Sequence, residues 1–466
     1  MFIRQFEYSG ELTDSRSLAE LLARSGLSPE ACAARAKLFA QAAAALKGPE
    51  GGAKLVRPTA FYVPGRIEVL GKHTDYAGGS SMVVAAERGF SLVVVASDDC
   101  RVTVTDAVAG ESVTFDIDAD IIPRAGHWAN YPMTVARRIA RNFPGPLRGA
   151  KIALASDLPP AAGMSSSSAL IVGIFLALSE VNLLAPRIQY RQDLRSPIDL
   201  AGYLATIENG QTFGSLKGDQ GVGTFGGSED HTAILTCRPG LISQYAYCPV
   251  RFEREIALPQ GCTFAIGVSG VVAEKTGAAM ARYNAASGRA RRLVQLWREA
   301  TKYEDPHLAA LVPRGPAAIE YLRSIVRDKS GPDAPMLLAR LEHFLTENIQ
   351  VLPAAREALE EGDLAAFGDL VDRSQQAAEL WLGNQVPETS HLAAKARSLG
   401  AAAASAFGAG FGGGVWALVE SAGAADFLES WAAAYHGRFP ERATASSFFV
   451  TGAGPAAFQI ELTESS

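Results

Sequence analysis

PGRIEVLGKHTDYAGG, Pro64–Gly79, is the stretch on which the reading of this chain turns. An apolar strand runs into a turn that gathers Arg66, Lys72, His73 and Asp75. Convergent donors and acceptors of both signs suit a polyhydroxylated ligand. A plain turn with a local ion pair is the other reading of the same residues.

Two further loops lie downstream. LPPAAGMSSSSA, Leu158–Ala169, carries a small-residue loop straight into an apolar helix. Unpaired N–H groups and the positive end of the dipole make a helix start an anion site. Four serines add hydroxyls for phosphate oxygens or magnesium, whereas an N-cap alone needs one. The spacing is not that of a GxxxxGK[ST] loop. FGAGFGGGV, Phe407–Val415, lets the backbone approach a ligand closely or turn sharply before a buried strand. GVGTFG, Gly221–Gly226, matches GxGxxG but follows no apolar strand and opens no clear helix, so a dinucleotide site is set aside.

The rest of the chain bounds the answer. Its 466 residues allow two or three domains. Hydrophobic content of 48% with 20% charged is globular, and 43 basic against 49 acidic residues give −6. Nucleic acid and anionic membranes want a basic excess, so neither is an expected partner. The apolar run Ala169–Leu178 falls short of the roughly 20 residues of a span. Five scattered cysteines without a CxxC pair point to a reduced, cytoplasmic protein with neither zinc ribbon nor disulfide framework.

Periodicity sketches the elements. Residues 14–48 read as helix, ended at Pro49-Glu-Gly-Gly. Strands are expected at 60–63, 90–96, 102–105, 112–117, 151–155, 241–247, 263–268 and 415–419. Helices are expected at 128–142, 169–182, 274–300, 334–360 and 364–382. Residues 209–230 form a glycine-rich loop long enough to carry function.

The three loops, in this order, resemble the GHMP kinase superfamily, and its galactokinase branch most. There the first motif reads PGRVNLIGEHTDYxxG, the second LPxGxGLSSSA and the third TGGGFGG. Between them, Trp128-Ala-Asn-Tyr131 resembles a WxNY element, and Glu208, Gly227 and Asp230 resemble the stretch AEHxxxGxxCGIMDQ. His343–Val351 and Val386-Pro-Glu388 resemble later family segments, so the likeness spans about residues 57–420. It implies a two-domain α+β fold. The expected division is a helical extension at 1–50, an ATP-binding α/β domain with ribosomal-S5-like β-α-β topology at 51–245, and a ferredoxin-like α+β domain at 246–466, with the active site in the cleft between.

It also implies ATP and magnesium, a monosaccharide acceptor, and transfer to the anomeric hydroxyl. Gly163, Met164, Ser165, Ser166, Ser167 and Ser168 would cradle the triphosphate, with Trp128 and Gly410 also at the nucleotide. Ser166 or Ser167 and Glu208 would hold magnesium. Asp230 would be the base, with Asp219 and Glu229 as rivals, and Arg66 its partner. Lys72, His73, Asp75, Gly227 and Tyr283 would meet the sugar. Departures from the pattern are Lys72 for glutamate, Glu68 for asparagine, Ala161 for glycine and Phe407 for threonine. Lys72 leads to the expectation of a uronic acid or another acceptor-bearing sugar. Alternatives are a kinase for another small alcohol such as a heptose, and a catalytically silent sensor of ATP and sugar.

Overall fold

The computed structural model describes residues 2–47, 57–272 and 277–463, without the side chains of 277–279. The helix stop at Pro49–Gly52, the boundary at 50/51 and the helix start at 274 lie outside the described residues.

Among the described residues thirteen strands make two sheets. The first holds β1 (Arg4–Tyr8), β2 (Thr59–Leu70), β3 (Ser80–Ala96), β4 (Arg101–Asp106), β5 (Glu111–Asp116), β6 (Ala150–Ser156), β7 (Leu241–Ala246), β8 (Arg251–Ala257) and β13 (Phe458–Leu462). The second holds β9 (Cys262–Val268), β10 (Ala403–Ala406), β11 (Gly414–Glu420) and β12 (Ser447–Thr451), all antiparallel in the order β10-β11-β9-β12. In the first sheet the path runs β1-β13-β2-β3-β6-β4-β5, and β7 adds to the near half of β3. β3 is 17 residues long, so Phe90–Ala96 pairs with β6 while Ser80–Val83 pairs with β7. Its near-continuous apolar run fits a strand buried on both faces.

Both faces are covered. Helices α1 (Ser15–Ala23) and α2 (Pro29–Lys47) set Leu18, Leu22 and Phe39 against Tyr62, Val93, Ala153 and Ala155. On the other face lie α3 (Asn130–Asn142), α4 (Ser166–Val181), α5 (Ile188–Asp193), α6 (Pro197–Asn209) and α7 (Glu229–Thr236), with Ile171, Phe175 and Ile234 against Val63, Leu92 and Val94. α4 is apolar all round because it is buried all round.

The remaining helices are α8 (Gly277–Thr301), α9 (Pro316–Lys329), α10 (Ala334–Leu345), α11 (Leu352–Glu361), α12 (Leu364–Ala377), α13 (Pro387–Ser398) and α14 (Ala424–Arg438). Single π-helical turns at Thr346–Val351 and Ala378–Leu382 follow α10 and α12. No helix among the described residues is long and apolar enough to cross a membrane.

The α+β fold of two domains stands as expected. Two local readings differ. The extension is not helical throughout, because Arg4–Tyr8 alternates outward and inward side chains and pairs in parallel with β13. The division expected at 245/246 falls inside the β7–β8 hairpin, whose two strands both belong to the first sheet. The second sheet opens with β9 at Cys262, and the last strand, β13, returns to the first sheet beside β2.

Candidate active site

β2 and β3 slip register between Pro64 and Arg66 and again between Glu68 and Leu70. Such bulges re-aim side chains, and here they turn Arg66 and Glu68 into a polar cleft. The cleft is also lined by His73, Asp75 and Tyr76 from the turn after β2, and by Glu208 from the end of α6. Gly226 and Gly227, Glu229 and Asp230 of α7, Tyr283 of α8 and Gly408-Ala409 complete it.

Arg66 and Asp230 form its centre. Asp230 Oδ1 accepts from Arg66 Nε at 2.8 Å and lies 2.6 Å from Nη2. Glu229 Oε1 is 3.3 Å from Arg66 Nε, and Glu68 Oε2 is 3.7 Å from Nη2. Burial works against the guanidinium charge, but Asp230, Glu229 and Glu68 together hold its pKa above the ordinary value. Asp219, the rival base, lies elsewhere. Its buried carboxylate sits 2.9 Å from Arg137, 3.5 Å from Arg138 and 3.8 Å from Arg141, clasping the glycine-rich loop onto α3.

The serine loop meets this centre from beneath. Arg66 N–H donates to Met164 O at 3.1 Å and Arg66 Nη1 to Gly163 O at 3.3 Å. Gly163 has φ of +83°, and a Cβ there would meet Phe407, so the second and third loops touch through a glycine. Ala161 (φ +51°) and Ser165 (φ +61°) also sit in the left-handed region, which costs about 1–3 kcal/mol each and collects at ligand clamps. α4 then starts without a side-chain cap, leaving its first N–H groups for another acceptor.

The hydroxyl at the carboxylates belongs to Ser168. Its Oγ is 2.9 Å from Glu208 Oε2 and 3.3 Å from Asp230 Oδ2. Ser166 and Ser167 are half-buried in the first turn of α4. Glu208 also accepts from Thr224 Oγ1 at 3.0 Å and lies 3.7 Å from His231 Nε2. Among the described residues no cluster of histidine, cysteine or acid side chains holds a metal by itself. A magnesium ion at Glu208 would therefore complete its shell with phosphate oxygens and water, which is its habit.

On the opposite wall, His73 Nδ1 is 2.7 Å from the Tyr76 hydroxyl, and its ring lies 5.2 Å from that of Tyr283. Asp75 accepts from Tyr76 N at 2.8 Å and Glu229 N at 3.3 Å, and burial pushes its pKa up to about 6. A Cβ on Gly227 would fall on the Asp75 carboxylate.

The structure does not bring Lys72 into the cleft. Its side chain is 1% exposed and points the other way, with Nζ 2.7 Å from Ser405 Oγ and 3.2 Å from Ser374 Oγ. The opposite peptide edge is held by Glu347 Oε1, which accepts from Gly71 N at 2.7 Å and Ser374 Oγ at 3.0 Å. Trp128 and Gly410 also stand outside the cleft lining. Trp128 Nε1 donates to Glu111 at 2.8 Å, and Gly410 packs on Asn384. Sequence reasoning missed Ser168 as the bridge, Thr224 and Tyr76, and of the third loop it singled out Gly410 where Gly408 and Ala409 line the cleft. Tyr76 stood in the quoted turn, but which serine faces the carboxylates depends on the phase of α4.

The GHMP kinases N terminal domain model matches residues 130–227, the galactokinase galactose-binding signature residues 52–96, and the GHMP kinases C terminal model residues 355–437. The galactokinase of Roseiflexus sp. (strain RS-1) is 29% identical over 381 residues, 80% of this chain and 86% of its own. That of Glaesserella parasuis serovar 5 (strain SH0165) is 28% identical over 363 residues, 77% of this chain and 84% of its own. The solved structure of Lactococcus lactis galactokinase complexed with galactose aligns with a TM-score of 0.70 at 20% identity, covering 88% of this chain and 97% of that one. L. major mevalonate kinase in complex with R-mevalonate aligns at 0.51 and 15%, covering 86% and 98%. The last two likenesses concern the fold. The signature falls on β2, the turn and β3, the two domain models fall on the elements around them, and the chain therefore carries GHMP kinase N-terminal and C-terminal matches together with the galactokinase galactose-binding signature.

Proposed function

We propose that this sugar kinase transfers the γ-phosphoryl group of ATP to the anomeric hydroxyl of a hexose, giving the sugar 1-phosphate. The observation that carries this reading is the Arg66–Asp230 pair at the floor of the cleft, between the start of α4 and the turn of His73 and Asp75.

Phosphoryl transfer needs charge neutralised, the nucleophile aligned and the transition state stabilised. The first N–H groups of α4 would hold the triphosphate, with Met164 and the serines shaping the loop. Glu208, with a serine hydroxyl beside it, would hold magnesium, which neutralises phosphate charge. His73, Asp75 and Tyr283 would orient the ring hydroxyls. Asp230 Oδ2, whose protein neighbour is Ser168 Oγ, accepts the proton of the attacking hydroxyl. The new O–P bond forms as the bond from γ-phosphorus to the bridging oxygen breaks, and ADP leaves. A loose transition state asks for little early deprotonation, so Asp230 chiefly orients. Arg66, whose Nε and Nη2 both meet Asp230 Oδ1, holds that carboxylate in place and faces the developing charge. A silent sensor of ATP and sugar has no use for Asp230, Arg66 and Glu208 held together. Free cysteines and an ATP substrate fit a cytoplasmic setting.

The test is ADP release across galactose, other hexoses, a heptose and galacturonate, with phosphorus NMR locating the ester. Asp230→Asn is expected to lower kcat by about 10²–10⁴-fold with ADP affinity kept. Absence of ADP release with every monosaccharide overturns the reading.

A further inference from the structure

Two acids in the cleft are not used by the mechanism above. Glu68 leaves the bulge of β2 and Glu229 opens α7, and each is 4% exposed. Their carboxyl groups face each other at hydrogen-bond range beside Arg66. Glu68 Oε1 and Glu229 Oε1 are sealed from solvent and accept no hydrogen bond, Glu229 Oε1 keeping only its ion-pair contact with Arg66 Nε at 3.3 Å. Buried polar atoms without partners are rare and costly. Three carboxyl groups, those of Glu68, Glu229 and Asp230, crowd one guanidinium.

One proton resolves all of this. Placed between the two glutamates, it gives each a partner and reduces their joint charge to −1. Both positions are departures from the family pattern quoted above, asparagine at 68 and methionine at 229, and both are occupied by acid here. A lone glutamate at either place would be an uncompensated buried charge. The surroundings favour the protonated form of Glu229. Burial and Glu68 raise its pKa well above the ordinary value, with Asp75 and Asp230 adding to the effect and Arg66 opposing it. Burial raises the pKa of Glu68 as well, but there Arg66, Lys72 and the hydrogen bond with Glu229 all oppose it. The Tyr247 hydroxyl beyond Glu229 stays neutral, its pKa raised by burial and by Glu229 itself.

We infer that Glu68 and Glu229 share a single proton and, as positioning residues, fix the Arg66 guanidinium against Asp230. Glu229 Oε1 bounds the Nε edge and Glu68 Oε2 the Nη2 edge, so Arg66 stays where Asp230 takes both donors. Loss of the proton adds a second charge, parts the two carboxylates and draws Arg66 off Asp230. Turnover therefore falls on the alkaline side in a single-proton step.

This rests on the kinase reading only for its kinetic arm. In that arm, Glu229→Gln supplies a permanent donor, so its alkaline limb is expected at least about one pH unit above that of the unaltered enzyme. Glu229→Met fills the space without the hydrogen bond and is expected to lower kcat by about tenfold, with KM changed less than about threefold. Glu68→Gln serves if a Glu229 variant does not fold, and the same displaced limb is expected of it. The other arm needs no substrate. Infrared spectra at neutral pH are expected to show the C=O stretch of a protonated, solvent-shielded carboxylic acid that Glu229→Gln removes. Absence of that band, superimposable pH profiles, or Glu229→Met as active as Glu229→Gln overturns the inference. The band present without any sugar kinase activity leaves the pair standing and sinks the function instead.

Discussion

Under the proposed function, Asp75 is expected to set the acidic limb of activity. Burial raises its pKa to about 6 from an ordinary 3.8, so the charged form is the disfavoured one. Its contribution to folding is full below about pH 4 and is lost as pH rises through about 6, the reverse of ordinary acid denaturation. Ligand binding runs the other way, because sugar hydroxyls donate to an ionised carboxylate. kcat/KM is therefore expected to rise in a one-proton step near pH 6, and Asp75→Asn to lose that step; a limb unchanged in the variant removes Asp75 from the sugar site. Gly408 gives a steric test. A Cβ there lands on the Glu68 carboxylate, and Glu68 is held beside Arg66. Gly408→Ala is expected to cost about 1–3 kcal/mol of stability and to lower kcat more than it changes ADP affinity. Kinetics, nucleotide titration and a denaturant midpoint measure the three effects.

The turn between β2 and β3 is an element with two anchors. Arg340 Nη2 donates to His73 O at 2.5 Å from α10, while Lys72 and Glu347 fasten the preceding peptides. Lys72→Met strips a charged donor from two buried hydroxyls, at about 2 kcal/mol. It is expected to raise KM for the sugar several-fold while kcat changes less, as a loosened binding turn would. An unchanged unfolding midpoint would contradict the anchoring role. The resemblance made Arg66, His73, Asp75, Glu208 and Asp230 legible as a set, because each stands at a matching position of a family motif, and all five line one cleft. The direction of Lys72 was not legible. A four-carbon stem can reach either side of a strand end, and the choice is made by Ser374, Ser405 and Glu347, some 275–333 residues away. The resemblance favoured Asp230 over Asp219, and tertiary structure parts them, with Asp230 on Arg66 and Asp219 clasped by Arg137, Arg138 and Arg141. Asp219→Asn breaks a buried arginine clasp, expected to cost about 3 kcal/mol, whereas Asp230→Asn is expected to lower kcat by about 10²–10⁴-fold at little cost in stability. Paired unfolding curves and rates tell the two apart.

Across the whole molecule, the chain's two ends close the first sheet. β13 pairs antiparallel with β2, the strand that carries Arg66, and β1 pairs in parallel with β13. α1 and α2 then roof the outer face over Tyr62, Val93 and Phe458. The roof also reaches the site's own loop. Arg35, 1% exposed, is ion-paired with Asp157, which heads the turn into the serine loop, and Asp157 Oδ1 accepts from Gly89 N at 3.1 Å on β3. Burying Leu18, Leu21, Leu22, Leu27 and Phe39 contributes on the order of 10 kcal/mol at about 1.5–3 kcal/mol each. A domain's net stability is about 5–15 kcal/mol. The extension is therefore a structural part of the first sheet's domain and not an appendage, and a chain beginning at Arg57 is expected to be insoluble or to lose its cooperative transition. Arg35→Met separates the two contributions. It keeps the apolar roof but leaves Asp157 with only Arg88 at 3.8 Å as its ion-pair partner among the described residues, and is expected to weaken ADP binding more than it lowers the unfolding midpoint. A soluble truncation melting within about 2 °C of the full chain would sink the roof as a stabilising element, and an Arg35→Met variant with full ADP affinity would sink its link to the serine loop.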